Sequence, residues 1–395
     1  MKLVTRVAAV LLGLILAAYG SMEVWVSRQS YDNAAVRRFC AAWLCPEEFT
    51  EFRAAALQQA GSHGHSIYAL QEFQRAVLLD SASAYRWADL AEAEWNARQV
   101  DSAKYCYQRA LAAGPGNPAI LLRVADFAFR THDAQATTRS LSAILRNPEL
   151  TAYYPAAFQI YRRMNLPIGE LLENAIPQSS TAALPFLQFW MDGNQLAEAH
   201  ATWTWMLEHS LADDKAAADY VGFLIRNHED DEAMSEWKRY NGGSMPSYGA
   251  TNWVFNGGFE EAPKPGPLDW HGIGAGNANV SRVNDNSHDG EWSVKLTPSG
   301  KASAHPEALY QDTVLKPGLW HIRGYIKTKD VAADLTLGVY DVLTPSRLDI
   351  HTDPLSGTHD WTLVERTFRI GETKLARVEV SGAGWIDSVE LSPAH

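Results

Sequence analysis

A spacing of 34 residues recurs through the first two-thirds of the chain and restricts its fold more than any other feature. Ala69, Phe73 and Ala76 return as Ala103, Tyr107 and Ala110, then more weakly as Thr137, Leu141 and Ile144. Farther on, Ala199, Trp203 and Met206 return as Ala233, Trp237 and Tyr240. Offsets of four and three place the members of each triplet on one helix face, where small residues admit a neighbouring helix and the large one fills the remaining gap. A helical hairpin of this length cannot bury its apolar face alone, so the period predicts hairpins stacked in an array. From Thr151 to Pro185 the period is lost, and one shortened pair is expected there.

Backbone punctuation changes near Asn241. Residues 251–395 hold 15 of the 27 glycines and 9 of the 18 prolines, and their apolar residues alternate in short runs between turns. Strands are expected at Trp253–Phe259, Trp292–Thr297, Ala308–Val314, Gly318–Lys327, Asp334–Asp341, Trp361–Ile370, Leu375–Ser381 and Trp385–Leu391. Eight short strands suggest a two-sheet jelly roll. Between Leu319 and Lys327, Trp320, Ile322, Gly324 and Ile326 share a face expected to be core, while Leu319, His321, Arg323, Tyr325 and Lys327 share the other.

The expected fold class is therefore α then β: a transmembrane or signal helix, an α-solenoid, and an antiparallel β-sandwich. The divisions fall at 1–26 for the N-terminal segment, 27–240 for the helical repeats, 241–251 for a linker rich in Gly and Pro, and 252–395 for the sandwich. In the N-terminal segment Lys2 and Arg6 precede an uncharged run from Val7 to Met22, the pattern of a membrane-inserting sequence with its cations on the cytoplasmic side. It is either an uncleaved anchor reaching about Val26, giving a single-pass protein with an exported C-terminal part, or a signal cut after Gly20, giving a secreted one. Cys40 and Cys45 follow closely and are either buried thiols or a bridge that requires the helix to end near Leu44.

Composition also excludes partners. With 34 basic against 46 acidic residues the net charge is −12, which supplies no basic field for nucleic acid. No nucleophile elbow, phosphate-cradling loop or His-Glu-x-x-His motif occurs in the chain, so no enzymatic activity is expected.

The best repeat copy, with Trp87, Leu90, Ala91, Ala103, Tyr107, Ala110 and Pro115, resembles a tetratricopeptide repeat. It departs from the family by carrying Ala91 in place of Gly, and Glu94 where the family has Tyr. The resemblance implies a concave groove lined by first helices that binds a protein partner. Groove positions carried over are Tyr85, Glu92, Trp95 and Asn96 from one copy, and Ala119, Leu122, Asp126, Phe129 and Arg130 from the next. Trp95 and Phe129 occupy equivalent places, either as an aromatic floor for an extended peptide or as packing between repeats.

The second part resembles the jelly-roll carbohydrate-binding modules of bacterial xylanases and glucanases, within the galactose-binding-like folds. The matching residues are Asn256-Gly257-Gly258-Phe259-Glu260, the run from His288 to Leu296, Leu315-Lys316-Pro317-Gly318, Trp361 with Phe368, and the run from Trp385 to Leu391. This resemblance implies a structural calcium ion held by the Glu260 and Asp387 side chains, with carbonyl oxygens from Gly258 and the 288–293 loop. Strict alternation would put Asp387 on the core face with Trp385, Val389 and Leu391, where a carboxylate needs either a cation or several hydrogen-bond donors. Sugar recognition requires exposed rings, and Trp270, Trp292, Tyr325 and Tyr340 are the candidates.

The expected function is thus a non-enzymatic cell-envelope scaffold, with the solenoid recruiting a protein, the sandwich recognising glycan or protein, and envelope polysaccharide assembly as a setting. Two other readings stay open: a glycan-processing component with the sandwich as its targeting module, or a sandwich that merely caps the solenoid.

Overall fold

The computed structural model describes residues 63–243, 245–273, 280–297, 309–344 and 348–394. The apolar N-terminal segment, Cys40 and Cys45 lie outside the described residues. Among those described, no helix is long and apolar enough to cross a membrane. Among the described residues eleven α-helices precede eight strands, helical hairpins followed by a β-sandwich. It forms two compact units, Met1–Phe189 and Trp190–His395.

In the first unit, α1 (His63–Leu79) precedes two hairpins, α2 (Ala84–Asn96) with α3 (Val100–Ala113), and α4 (Pro118–Arg130) with α5 (Ala134–Leu145). Corresponding helices start 34 residues apart. Their boundaries follow from capping chemistry: Ser83 accepts from Arg86 N, Asn117 from Ala119 N and Ile120 N, and Asp133 from Ala136 N. Each first helix ends through a left-handed residue, Arg98 (φ 63°) or His132 (φ 60°). Beyond it Gln99 N donates to Glu94 O and Asp133 N to Ala128 O, both at 2.9 Å, which satisfies carbonyls left open at a helix end. At the hairpin junction a Cβ on Gly114 would lie 2.9 Å from Ala84 Cβ, so a larger residue there would push the hairpins apart.

The triplets that revealed the period are buried, except for the half-buried Tyr240. Ala103, Tyr107 and Ala110 are at most 2% exposed, and Thr137, Leu141 and Ile144 are fully covered. The region without the period holds a 3-10 turn (Pro148–Tyr153) and a shortened pair, α6 (Tyr154–Met164) and α7 (Ile168–Asn174), before α8 (Ser180–Asp192). Phe158 of α6 fills that interior against Phe186 at 5.0 Å.

The second unit contains α9 (Leu196–Glu208), α10 (Asp214–Arg226), α11 (Asp230–Tyr240) and the whole sandwich. Trp203 of α9 stacks on Tyr220 of α10, ring centroids 4.9 Å apart. Trp237 of α11 is fully buried and meets Phe255 edge-on at 6.0 Å. Gly266 passes directly over the Trp237 ring, where any Cβ would clash. Lys238 Nζ donates to the carbonyls of Pro246 and Tyr248 at 3.0 and 2.9 Å, fixing the connection into the sandwich.

The sandwich strands are β1 (Val280–Val283), β2 (Ser293–Leu296), β3 (Leu309–Leu315), β4 (Gly318–Asp341), β5 (Asp349–His351), β6 (Leu355–Ile370), β7 (Lys374–Ser381) and β8 (Gly384–Pro393). All pairs are antiparallel. The expected strands Gly318–Lys327 and Asp334–Asp341 are one continuous strand, β4. Its first half pairs with β6 and β8 and its second half with β7 and β5, so the two sheets share it. Register shifts beyond Ile326 let it bend from one sheet to the other.

Trp320, Ile322 and Ile326 are buried in the core with Val364, Ile386 and Val389, whereas Arg323 on the opposite face is exposed. Trp253–Phe259, expected as a strand, is irregular. Its backbone turns through positive φ at Asn256 (51°) and Phe259 (58°), although Trp253 N still donates to Leu391 O at 2.7 Å.

Candidate functional site

The groove residues of the first unit converge on a charged network crossing three helices. Glu92 on α2 and Arg130 on α4 face each other because they occupy neighbouring first helices. Arg130 Nη2 donates to Glu92 Oε1 at 2.5 Å and Nη1 to Oε2 at 3.3 Å. Asp126, one turn before Arg130 on α4, lies 3.0 Å from its Nε and accepts from Arg163 Nη1 of α6 at 3.2 Å. One turn closer to the start of the helices, Arg123 donates to Asp89 at 2.7 Å. Tyr107 of α3 also donates to Glu92, and burial first, then that bond, pushes its phenol well above the usual range.

The rings sit under cations. Arg130 lies 5.2 Å over Trp95, whose edge meets Phe127 at 5.6 Å. Arg163 lies 4.7 Å over Phe129. Trp95 and Phe129 thus have separate arginine lids and form no shared open floor. Tyr85 is 51% exposed and accepts from Asn117 Nδ2 at 2.9 Å, and Asn96 is exposed. Sequence reasoning missed Phe127 and Arg163. Phe127 lies one position off the carried-over groove set, and Arg163 falls where the period had faded.

Behind this surface Glu94 is 5% exposed, and its Oε2 has no hydrogen-bond partner. Its neighbour Cys106 has a thiol pushed up to about 11 by burial and then by the Glu94 charge, which makes it an inert core group. A pocket of about 410 Å³ adjoins this network through Tyr107 and Phe127, with Leu111 and Val124 among its other lining residues and Lys104 and Arg139 beside them.

In the sandwich, Asp387 is fully buried but not on the core face. Tyr325 pairs with Asp387 while Arg323 pairs with Glu390, so β8 carries one more residue than β4 across this interval. Ser388, at φ 51°, absorbs the extra residue. This bulge shifts the alternation, leaving Ile386 and Val389 inward and Asp387 beside Tyr325 on the outer face. The 288–292 loop covers it. Asp387 Oδ2 accepts from His288 N at 2.8 Å and Asp289 N at 3.1 Å, and Oδ1 accepts from Ser388 N at 2.6 Å. Burial raises the Asp387 carboxyl above its ordinary value, and these amides oppose the shift.

Glu260 is exposed and uses the same loop, its Oε1 accepting from Glu291 N and Trp292 N at 3.0 and 3.1 Å. Arg282 donates to the carbonyls of Phe259 and Glu260, both at 2.6 Å, and lies 3.6 Å over Trp292. The two side chains that the resemblance assigns to calcium accept here from backbone amides, three on Asp387 and two on Glu260, so the buried Asp387 charge has hydrogen-bond donors of its own. Gly258 is half-buried within the same turn.

Of the candidate sugar-contacting rings, Trp270 is excluded by burial. It is 3% exposed, packs on Phe259 at 5.1 Å and donates to Asn256 O at 3.1 Å. Tyr325 stacks on His288 at 3.5 Å, with Trp361 edge-on to His288 at 5.9 Å. Lys327 lies 6.0 Å over Trp361, Lys295 lies 4.8 Å over Trp385, and Leu363 on the same strand as Trp361 is 42% exposed. These side chains give the outer face rings flanked by hydrogen-bond donors. On the other sheet Tyr340 lies beside His351, its phenol pushed up to about 12 by burial.

No protein-family model matches the chain, and no curated protein matches it. Solved structures that resemble it include PilF of Pseudomonas aeruginosa, 16% identical over 50% of this chain and 93% of that one, with a TM-score of 0.29. PilW, a type IV pilus biogenesis factor, is 14% identical over 51% of this chain and 95% of that one, with a TM-score of 0.24. TmCBM61 in complex with β-1,4-galactotriose is 18% identical over 37% of this chain and 100% of that one, with a TM-score of 0.26.

Proposed function

We propose that this is a non-enzymatic binding protein of the cell envelope, in which the tetratricopeptide-like helices hold an extended segment of a protein partner and the sandwich recognises glycan. The observation that carries the reading is the network from Glu92 through Arg130 and Asp126 to Arg163, which makes one continuous charged surface from three successive first helices. Its paired charges hold Trp95 and Phe129 in place, so a peptide meets a preorganised surface and orders few side chains on binding. Glycan recognition rests on the partly exposed rings beside Lys327 and Lys295. The envelope location rests on the N-terminal sequence alone.

The test is selection of peptides from a displayed library by the full chain. Peptides that bind the groove should weaken about tenfold or more, near 1.4 kcal/mol, in Arg163→Glu and in Asp126→Arg. Binding that both variants leave unchanged would reject the reading.

A second reading is favoured by Trp237. Its complete burial against Phe255, with Gly266 lying over it, is the contact expected if the sandwich serves as a cap for the last hairpin. A glycan array without hits would favour that reading.

A further inference from the structure

His200 of α9 and Glu232 and Glu236 of α11 form a group whose ligand atoms all lie within 4.8 Å of one another, the one such group of three or more His, Cys, Asp or Glu among the described residues. The spacing of Glu232 and Glu236 stacks two carboxylates on one face of α11, and α9 brings the imidazole opposite. His200 Nδ1 is paired with Glu232 and lies 3.2 Å from the Tyr220 hydroxyl of α10. Glu236 is 6% exposed, its Oε2 accepts from Trp203 Nε1 at 2.9 Å, and its Oε1 is 3.6 Å from Arg239. Burial first, then the two glutamates, pushes the Tyr220 phenol far above its usual range.

Charge does not balance within the group. Of the two carboxylates only the nearly buried Glu236 has a guanidinium near it, Arg239 at 3.6 Å, so one negative charge of the pair is left that Arg239 does not offset. A bound cation would offset it. One imidazole nitrogen and two carboxylates are the donor set of zinc-class cations, and three protein ligands leave a fourth position for water. His200 and Glu232 have side chains 47% and 37% exposed, which gives an ion a way in. Trp203 holds Glu236 through Oε2, as outer partners orient metal ligands, while Tyr220 lies against the same imidazole nitrogen that faces Glu232.

We propose that His200, Glu232 and Glu236 bind one divalent transition-metal ion of the zinc class, which pins α9 to α11. This site is separate from the peptide and glycan surfaces and does not depend on either.

The test is zinc titration of the metal-free full chain by equilibrium dialysis, with metal content read by mass spectrometry. The expected result is one equivalent bound, with affinity about tenfold or more lower in His200→Ala and in Glu232→Gln and a zinc absorption edge showing only nitrogen and oxygen neighbours. Glu232→Gln, at the more exposed end of the group, carries the comparison if His200→Ala does not fold. No zinc retained by the wild type would overturn the proposal. Equal retention by both variants, or sulfur in the edge spectrum, would overturn it as well.

Discussion

Arg130 and Glu92, 38 residues apart in sequence, are joined by two hydrogen bonds of 2.5 and 3.3 Å, and each side chain is 26% exposed. This bidentate contact ties one repeat to the next where van der Waals packing alone would permit sliding. Because Tyr107 also donates to Glu92, the pair is part of a network and gains more than an isolated surface bridge. A double-mutant cycle on Glu92→Gln and Arg130→Gln, read by urea unfolding, should give a coupling energy of about 1 kcal/mol. Additive effects would mean that the contact contributes nothing to holding the hairpins together.

Glu94 predicts the opposite sign. An oxygen buried without a partner costs about 1–3 kcal/mol, so Glu94→Leu, which removes the carboxylate at similar volume, should raise the melting temperature. A lowered one would show that the second oxygen has found a partner that the geometry does not reveal.

Asp387 supplies a test for calcium. If the amides of His288, Asp289 and Ser388 supply what the carboxylate needs, then calcium and a chelator should leave the melting of the sandwich unchanged, while Asp387→Ala lowers it by about 2 kcal/mol. A rise on adding calcium that Asp387→Ala abolishes would establish the ion.

Asp269 is 1% exposed, and burial pushes its carboxyl up to about 6 against the opposing amides of Lys264 and Trp270. An acid with a raised folded value protonates in the folded state before it does so in the unfolded chain. Its stabilising contribution is therefore full below pH 4 and is lost as pH rises through about 6. The difference between the limits is on the order of 3 kcal/mol. Unfolding between pH 4 and 7 should show this slope, and Asp269→Asn should flatten it. An unchanged slope would assign it to another group.

Gly266→Ala tests the packing of the last helices on the sandwich. The new methyl would meet the fully buried Trp237 ring, and overpacking of this kind costs about 1–3 kcal/mol. Loss of stability that Trp237→Phe partly restores would support the contact. A neutral substitution would contradict it.

The helices were legible because the triplets repeat in type as well as position, so Ala103, Tyr107 and Ala110 announced a buried face before any neighbour was known. The core face of β4 was equally plain, since Trp320, Ile322 and Ile326 keep strict alternation. Asp387 was misread for the same reason. Alternation was carried across Ser388, where a bulge adds one residue, and a bulge without glycine leaves little trace in sequence. Trp270 and Trp292 have the same ring, yet one is core and the other lies under Arg282, a difference set by chain segments remote in sequence. The metal-ligating group was missed because His200 and Glu232 belong to different helices, and only the hairpin register brings them together.

The central claim is that the faces of α2, α4 and α6 form one binding surface, and hydrogen exchange on the full chain with and without a selected peptide tests it most directly. The account predicts added protection concentrated in those three helices, around Glu92, Asp126 and Arg163. Protection confined to the pocket beside Lys104 and Arg139, or to the sandwich, would contradict it.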